Sequence, residues 1–214
     1  MKCIVLIITF FILGNTSVIA QIENVPSTNK FFNLNEALLT PEKVISLDLS
    51  NQNIVLKDIN WEVFTNLEYL SLKNDNLNSI PDGISKLNKL KILDLSGNNF
   101  KTLPKTMKGL SKLEVLYLND EKQFDLEKNI DILASLPRLK ELHLENDNLK
   151  SLPKKFEKLN SLEFLYLNNN QLKELPKPIM SLQHLQYLDL KDNLVNPNLP
   201  ELNNVNFGFQ INLK

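Results

Sequence analysis

Cysteine is almost absent from this chain of 214 residues, and its single copy, Cys3, lies near the start. The rest of the chain therefore forms no disulfide and has no thiol chemistry. The five glycines form no glycine-rich loop of the kind that cradles phosphate. The two histidines, His143 and His184, belong to no recognisable nucleophile–histidine–acid set. These absences predict a chain that is not an enzyme and needs no cofactor.

An excess of charge of one sign is also lacking. The chain has 24 Lys and Arg against 25 Asp and Glu, and its net charge is −1 at pH 7. Nucleic-acid binding requires a strongly basic face, so we expect no nucleic-acid partner. No Gly/Ser linker and no low-complexity tail divides the chain. A single domain is the natural interpretation, and we expect it to be a monomer.

A long apolar run is found only at the start of the chain. Lys2 supplies a positive charge, residues 4–13 are apolar, and Val-Ile-Ala ends the segment at 18–20. This order is typical of a secretory signal peptide, so we assign residues 1–20 to one and take Gln21 as the mature N-terminus. A membrane anchor is the alternative, but the run is short for a bilayer. The later sequence has no second run of this kind, so we expect no membrane span in the mature chain.

The chain repeats the pattern Leu-x-x-Leu-x-Leu-x-x-Asn-x-Leu. Successive copies are 23 residues apart, except for one step of 26 residues. The seven units begin at Val44, Leu67, Leu90, Leu113, Leu139, Leu162 and Leu185. A fixed period of this length predicts a stack of small units, because no unit can bury its apolar face alone.

Each unit is expected to contain a strand and a return segment. Leu93 and Leu95 are two residues apart, which is the period of a strand. The return half, as in 103–110, begins with Leu-Pro and spaces apolar residues by three, which favours short 3₁₀ turns. Strands stack about 4.8 Å apart and the return segments need more room, so the stack curves with its strands inside.

One polar position follows each strand, where a side-chain amide can satisfy the backbone of the turn. Its seven occupants are Gln52, Asp75, Asn98, Glu121, Asp147, Asn170 and Asn193. Aspartate keeps the acceptor half of this role. Gln52 and Glu121 depart further from asparagine, and we expect looser turns there.

Two units and both ends depart from the repeat. In the first unit Trp61 and Phe64 take the apolar positions, and in the fourth the spacing over 125–136 predicts a helix capped by Asp125. Residues 21–43 are expected to form an N-terminal cap, with a helix over 35–39. Phe31, Phe32 and Leu34 are expected beside that helix, over the first repeat.

At the other end residues 203–214 are expected to form a capping strand. In that segment Val205, Phe207, Phe209, Ile211 and Leu213 alternate, and Gly208 suggests a bulge.

Residues 44–202 resemble the leucine-rich repeat solenoids, and the Leu-Pro-x-x-Ile-x-x-Leu return half looks like their 23-residue class. The resemblance implies an α/β solenoid: an arc with a parallel β-sheet on its concave face and 3₁₀ or short helical segments on its convex face. Such scaffolds usually bind other macromolecules, most often proteins. Animal extracellular members usually have cysteine-rich caps, which this chain lacks, so a bacterial exported protein is favoured. Bacterial enzymes with these repeats carry a separate catalytic domain that is not recognisable here.

The outward strand positions are the candidate binding surface. Aromatic residues are common there, and exposed aromatic clusters usually mark contact surfaces. Ordinary cross-strand packing of aromatics is the competing explanation. The predicted ligand-binding residues on the concave face are Tyr69, Ile92, Asp94, Val115, Tyr117, Glu141, His143, Phe164, Tyr166 and Tyr187.

The concave positions also carry more acids than bases, which can steer a basic partner, although a solvated sheet needs charge in any case. Glu141, His143 and Glu145 alternate on one strand face and form the sharpest candidate for a divalent cation site. Alternating polar residues on an exposed strand look the same, so no metal is predicted.

Together these features predict an exported, non-catalytic module that binds a protein or peptide partner on its concave face. Export here means secretion, the periplasm or the cell surface. The alternatives are a structural repeat protein without a dedicated ligand and a glycan-binding module.

Overall fold

The computed structural model describes residues 18–196 and 208–213. Its strands form one nine-stranded parallel sheet in chain order, which confirms the α/β solenoid. The strands are β1 (Lys30–Phe31), β2 (Ser46–Asp48), β3 (Tyr69–Ser71), β4 (Ile92–Asp94), β5 (Val115–Tyr117), β6 (Glu141–His143), β7 (Phe164–Tyr166), β8 (Tyr187–Asp189) and β9 (Gln210–Asn212). Seven of them belong to the repeats, and β1 and β9 extend the sheet at its two ends.

The opposite side of the stack is built from short helical turns, as the Leu-Pro spacing predicts. The α-helices are α1 (Val18–Glu23), α2 (Leu34–Ala37) and α3 (Leu126–Leu133). The 3₁₀ turns are Ser27–Asn29, Pro41–Lys43, Trp61–Val63, Asp82–Lys86, Lys105–Gly109, Lys154–Lys158 and Lys177–Ser181. Among the described residues, none of the helices has the length and apolar character to cross a membrane.

The core is a column of leucines, one set from each unit. Leu93 pairs in register with Leu70 on one side and with Leu116 on the other, and all three are completely buried. Because each unit covers its neighbours, the buried surface is continuous from the second strand to the eighth.

A second column, made of polar side chains, runs beside the leucines. The Asn98 amide donates to the carbonyls of Leu72 and Leu95 at 2.9 and 2.6 Å. Its Oδ1 accepts from the backbone N–H groups of Asp75 and Leu77 at 3.1 and 3.0 Å. One amide thus satisfies backbone groups in two adjacent units, because it can both donate and accept.

Acidic residues keep the acceptor half of this role. Oδ1 of Asp75 accepts from the N–H of Gln52 at 2.7 Å, and Oδ1 of Asp147 accepts from the N–H of Glu121 at 2.7 Å. The Gln52 side chain leaves the column and donates to a carbonyl in the N-terminal cap. Glu121, in contrast, stays in the column, and its Oε1 accepts from the N–H of Asn98 at 2.6 Å. The looser turn expected at Glu121 stays a prediction, since its carboxyl group keeps one backbone contact where Asn98 makes several.

The acids of the polar column each have a second carboxyl oxygen that is buried, and this burial affects their pKa. Oδ2 of Asp75, Oε2 of Glu121 and Oδ2 of Asp147 are buried and accept no hydrogen bond within the described part of the chain. Burial raises the pKa of Glu121 to about 8 and that of Asp147 to about 8. Burial also raises the pKa of Asp75 above its usual value. Glu121 and Asp147 are therefore mainly protonated at neutral pH, which avoids the cost of burying an unpaired charge.

The irregular units fold as the sequence predicts. Trp61 and Phe64 are buried in the first unit with ring centroids 6.1 Å apart. In the fourth, the carboxylate of Asp125 accepts from the N–H of Lys128 at 3.1 Å and caps α3.

The ends of the stack differ in detail from the expectation. The cap helix α2 begins at Leu34, and Phe31 belongs to β1, where it pairs with Leu47. Phe32 does not cover the first repeat, because 65 % of its surface is exposed. At the other end β9 pairs with β8, and Phe209 and Ile211 pack against the core. Residues 203–207 of the expected capping strand lie outside the described residues.

Truncation of Leu93 to alanine is expected to destabilise the fold by about 2–5 kcal/mol, because the cavity cannot be refilled in a continuous stack. Adjacent units should loosen with it, which hydrogen exchange of the neighbouring strands measures. Leu194→Ala is the matched control, since 62 % of the Leu194 surface is exposed. A loss below about 0.5 kcal/mol for Leu93→Ala would contradict the buried register.

The polar column predicts a pH dependence of stability. The folded-state pKa of Glu121 and of Asp147 is about 8, above the unfolded value of a carboxyl group, so the folded state binds more protons. The contribution of these two groups to the free energy of unfolding should therefore fall as pH rises from about 4 to about 8 and level off above that range. Glu121→Gln with Asp147→Asn should flatten this fall in denaturant titrations at several pH values. The exposed Asp58, changed to Asn, is the control, and an equal flattening there would refute the assignment.

Candidate functional site

The concave face carries all the residues that the sequence nominated for binding. The strands are in register, so their first and third residues form two parallel stripes on the same side of the sheet. The first stripe contains Tyr69, Ile92, Val115, Glu141, Phe164 and Tyr187. The second contains Ser71, Asp94, Tyr117, His143, Tyr166 and Asp189.

Most polar residues of the second stripe serve the fold. In four units the side chain accepts a hydrogen bond from the backbone N–H two residues later, at 2.9–3.5 Å. These acceptors are Asp48, Ser71, Asp94 and Asp189. Such local bonds stabilise the turn after the strand. The acids at these positions therefore have a structural role that is independent of any ligand.

Three consecutive units replace this acceptor with a ring. Tyr117, His143 and Tyr166 stack along the sheet, with centroids 4.1 and 4.2 Å apart and interplanar angles of 26° and 6°. The ring of Tyr187 adjoins Tyr166 at 5.6 Å in a tilted arrangement. His143, in the middle of the stack, has only 8 % of its surface exposed. We call Tyr117, His143 and Tyr166 the ring stack.

Both nitrogens of His143 are engaged by its neighbours on the same strand face. Nε2 lies 2.8 Å from Oε1 of Glu141, and Nδ1 lies 3.0 Å from Oε1 of Glu145. Burial acts to lower the pKa of His143, but hydrogen bonds to the two carboxylates outweigh it and raise the pKa above the usual value. The arrangement thus favours the imidazolium, which donates from both nitrogens.

The same contacts bear on the cation hypothesis for Glu141, His143 and Glu145. An imidazole must offer a nitrogen lone pair to a metal, and here both nitrogens face carboxylates. Over residues 18–196 and 208–213, no group of three or more His, Cys, Asp or Glu side chains is arranged to hold a metal ion. The three residues therefore form a closed ionic cluster that supports the ring stack.

The face keeps a surplus of negative charge. Nζ of Lys91 lies 3.0 Å from Oε2 of Glu68, and Nζ of Lys140 lies 3.7 Å from carboxylate oxygens of both Glu114 and Glu163. These two concave lysines are thus paired with concave acids, and further acids remain around them. The pKa values of Tyr117 and Tyr166 are raised above the usual value, mainly by burial and secondly by the negative charge of Glu141. The phenols stay neutral at physiological pH.

One part of the face is covered. Helix α1 places Ile22 against Ile92 and Val115, whose exposed fractions are only 2 % and 3 %. The expectation that these two residues face solvent is therefore wrong. The sequence did carry a signal for this contact, because Val18, Ile19 and Ile22 share one side of a short helix. This contact was not predicted, because Val18 and Ile19 fall within the predicted signal peptide.

Comparison with known proteins identifies the repeat. A model described as "Leucine-rich repeat region" matches residues 43–141, and one described as "Leucine rich repeat" matches residues 137–195. A comparison with curated proteins finds no match.

Solved structures share the fold. A Leptospira interrogans LRR protein is 29% identical, with a TM-score of 0.63, over 85% of this chain and 54% of that chain. Toll from the Drosophila Toll–Spatzle complex is 25% identical, with a TM-score of 0.64, over 81% of this chain and 24% of that one. TLR13 from a TLR13–ssRNA13 complex is 26% identical, with a TM-score of 0.66, over 86% of this chain and 27% of that one.

This chain thus spans about half the length of the first of these proteins and about a quarter of the other two. The two family models together cover residues 43–195, which is most of the chain and the whole of its regular solenoid. The chain belongs to the leucine-rich repeat family.

Proposed function

We propose that this chain is an exported, non-catalytic module that binds a protein or peptide on its concave face. Leucine-rich repeat domains are generally protein-interaction modules, and the Toll structure is that of a complex with the protein Spatzle. The residues proposed to contact the partner include Tyr117, Glu141, His143, Phe164, Tyr166 and Tyr187.

The ring stack is the observation that carries this proposal. Four other units show that an Asp or Ser at this position stabilises the turn, so the fold gains a local hydrogen bond from it. Three adjacent units lack that bond, and the middle one buries a histidine between two carboxylates, which costs free energy unless these polar groups are well paired. A purely structural repeat protein has no need of this exchange. A binding surface does, because ordered aromatic side chains with polar tips are efficient contact groups.

The negative charge of the concave face restricts which chemical groups a partner can present to it. The acids around the ring stack attract a basic segment and repel an acidic one. Nucleic acid is disfavoured for the same reason, and the RNA named with TLR13 belongs to that protein. We therefore propose a partner that presents basic or polar groups around an apolar tip.

The geometry of the rings speaks against a glycan ligand. A sugar ring packs flat on an exposed aromatic face, but both faces of His143 and the inner faces of Tyr117 and Tyr166 are covered by the stack. The stack therefore leaves fewer open ring faces for a sugar. Tyrosine hydroxyl groups can donate to and accept from the backbone and polar side chains of a peptide, which favours a peptide ligand.

Export predicts a processed chain. The mature protein should begin at Gln21, and its thermal midpoint should be unchanged by reducing agent, because Cys3 is removed with the signal peptide. Mass spectrometry of the protein from its native host identifies the N-terminal residue. Ala20→Arg is the matched variant and should block cleavage. An intact Met1, or a lipid on Cys3, would refute this model of export.

Tyr117→Ala with Tyr166→Ala is expected to abolish capture of the partner from the native environment, because it removes the centre of the surface. If both side chains only faced solvent, the thermal midpoint would be unchanged. Because each tyrosine covers one face of His143, we expect the double variant to have a lower thermal midpoint.

Two controls separate binding from folding. Tyr117→Phe with Tyr166→Phe keeps the stacked rings, so the thermal midpoint should stay near that of the unchanged protein while polar contacts of the hydroxyls are lost. Lys154→Ala with Lys155→Ala changes the convex side and should leave capture intact; its exposed ion pair with Asp131 contributes little. Loss of capture with the lysine pair but not with the tyrosine pair would place the site elsewhere. Capture of no specific protein by the unchanged chain would favour a structural role.

A further inference from the structure

The N-terminal part of this chain occupies the apolar part of its own concave face. Helix α1 and the residues after it form a small cluster with the sheet that is separate from the leucine core. Ile22 is buried between Ile92 and Val115, and Val18, Ile19 and Val25 pack around it. We call residues 18–25 the N-terminal segment. It lies where a bound peptide would lie, across the strands rather than within the stack.

The contact between the segment and the sheet is mainly apolar. Nζ of Lys91 lies 3.5 Å from Oε1 of Gln21, at the limit of a hydrogen bond, and the same ammonium group is held by Glu68 at 3.0 Å. The segment is otherwise tied to the cap, where Nζ of Lys30 donates to the carbonyl of Glu23 at 2.9 Å. The contact that departure of the segment must break is therefore chiefly the apolar one around Ile22.

The segment also fills its place incompletely. An open cleft of about 260 Å³ remains between α1 and the sheet. It is lined by Ile19, Ile22 and Glu23 on the helix side and by Tyr69, Asp94 and Tyr117 on the sheet side. Glu23 and Asp94 both line this space, so two acidic side chains border it. A segment with a basic residue at this point would fit the surface better than the chain's own residues do.

We infer that this part of the concave face is a peptide groove and that the N-terminal segment is its built-in competitor. This inference rests on the proposed function, since it names how that partner is admitted. The partner inserts a branched aliphatic side chain in the place of Ile22 and a basic side chain in the place of Glu23. It binds by displacing the segment from Ile92 and Val115.

Processing acts on the same contact. Cleavage after Ala20, as proposed for export, removes Val18 and Ile19 and leaves Ile22 and Val25 as the aliphatic side chains of the segment. The exported chain then holds its groove less tightly than the precursor. Before cleavage the segment thus covers the groove with more aliphatic side chains than it does afterwards.

A synthetic peptide with the sequence of residues 18–25 tests the groove directly. The mature protein with Ile22→Asp should bind this peptide at least tenfold more tightly than the unchanged protein, because its own segment no longer competes. Val55→Asp is the matched control, since Val55 is 77 % exposed, and should bind like the unchanged protein. A peptide carrying Glu23→Lys should bind the Ile22→Asp protein several-fold more tightly than the native sequence. Titration calorimetry measures all of these affinities.

Two further arms keep the result interpretable. A peptide carrying Ile22→Asp should not bind the Ile22→Asp protein, and this arm requires no change in the sheet. The added change Val115→Asp in that protein should also remove binding of the native peptide. Equal binding to the unchanged and Ile22→Asp proteins would refute competition, and binding to neither would refute the groove.

These outcomes do not depend on the natural partner. If the peptide binds as expected but no protein is captured from the native environment, the groove stands and the proposed function fails. If a protein is captured through the ring stack but the peptide does not bind, the proposed function stands and the competitor is refuted.

Discussion

The side chain that follows each strand is the contact on which the rest of the structure depends. Asn98 and Asn170 each bond backbone groups of two units, and this fixes the distance and register between those units. Strand spacing of about 4.8 Å then sets the spacing of everything the strands carry. The ring centroids lie 4.1 and 4.2 Å apart for this reason, since side chains at equal positions of neighbouring strands meet face to face. The arrangement of the ring stack therefore depends on the polar column behind it.

Acids in the two parts of the molecule have different surroundings. Glu121 and Asp147 lie in the column without a cationic partner, so burial keeps them protonated at neutral pH. Glu141 and Glu145 lie beside His143, and their hydrogen bonds raise the pKa of that histidine. Both arrangements lose stability as pH rises. The column loses protons that the folded state prefers to keep, and His143, whose pKa is raised, loses its charge as pH rises through that pKa.

The sequence predicts which side of a strand or helix a residue occupies, but not the conformation of its side chain. The buried Leu93, the paired Trp61 and Phe64, and the Asp125 cap follow from spacing, because spacing decides which side of an element a residue occupies. Side-chain conformation does not follow from spacing. The sequence placed Tyr117, His143 and Tyr166 on one face, but whether they point to solvent or stack on each other depends on rotamers and on neighbours in other units. The protonation of Glu121 was hidden for the same reason, since it depends on burial rather than on position.

The covered and open parts of the concave face meet at one residue. Tyr117 lines the cleft beneath α1, and its ring also stacks on His143. In the proposed mode of binding, a partner that first contacts the ring stack is held next to the edge of the N-terminal segment. Contact at the stack then raises the local concentration of the partner's aliphatic side chain at the groove, which favours displacement of Ile22 without a change in the solenoid. On this proposal the segment has two places, on the sheet or off it. A selected partner must therefore both match the acidic ring stack and supply the side chain that replaces Ile22.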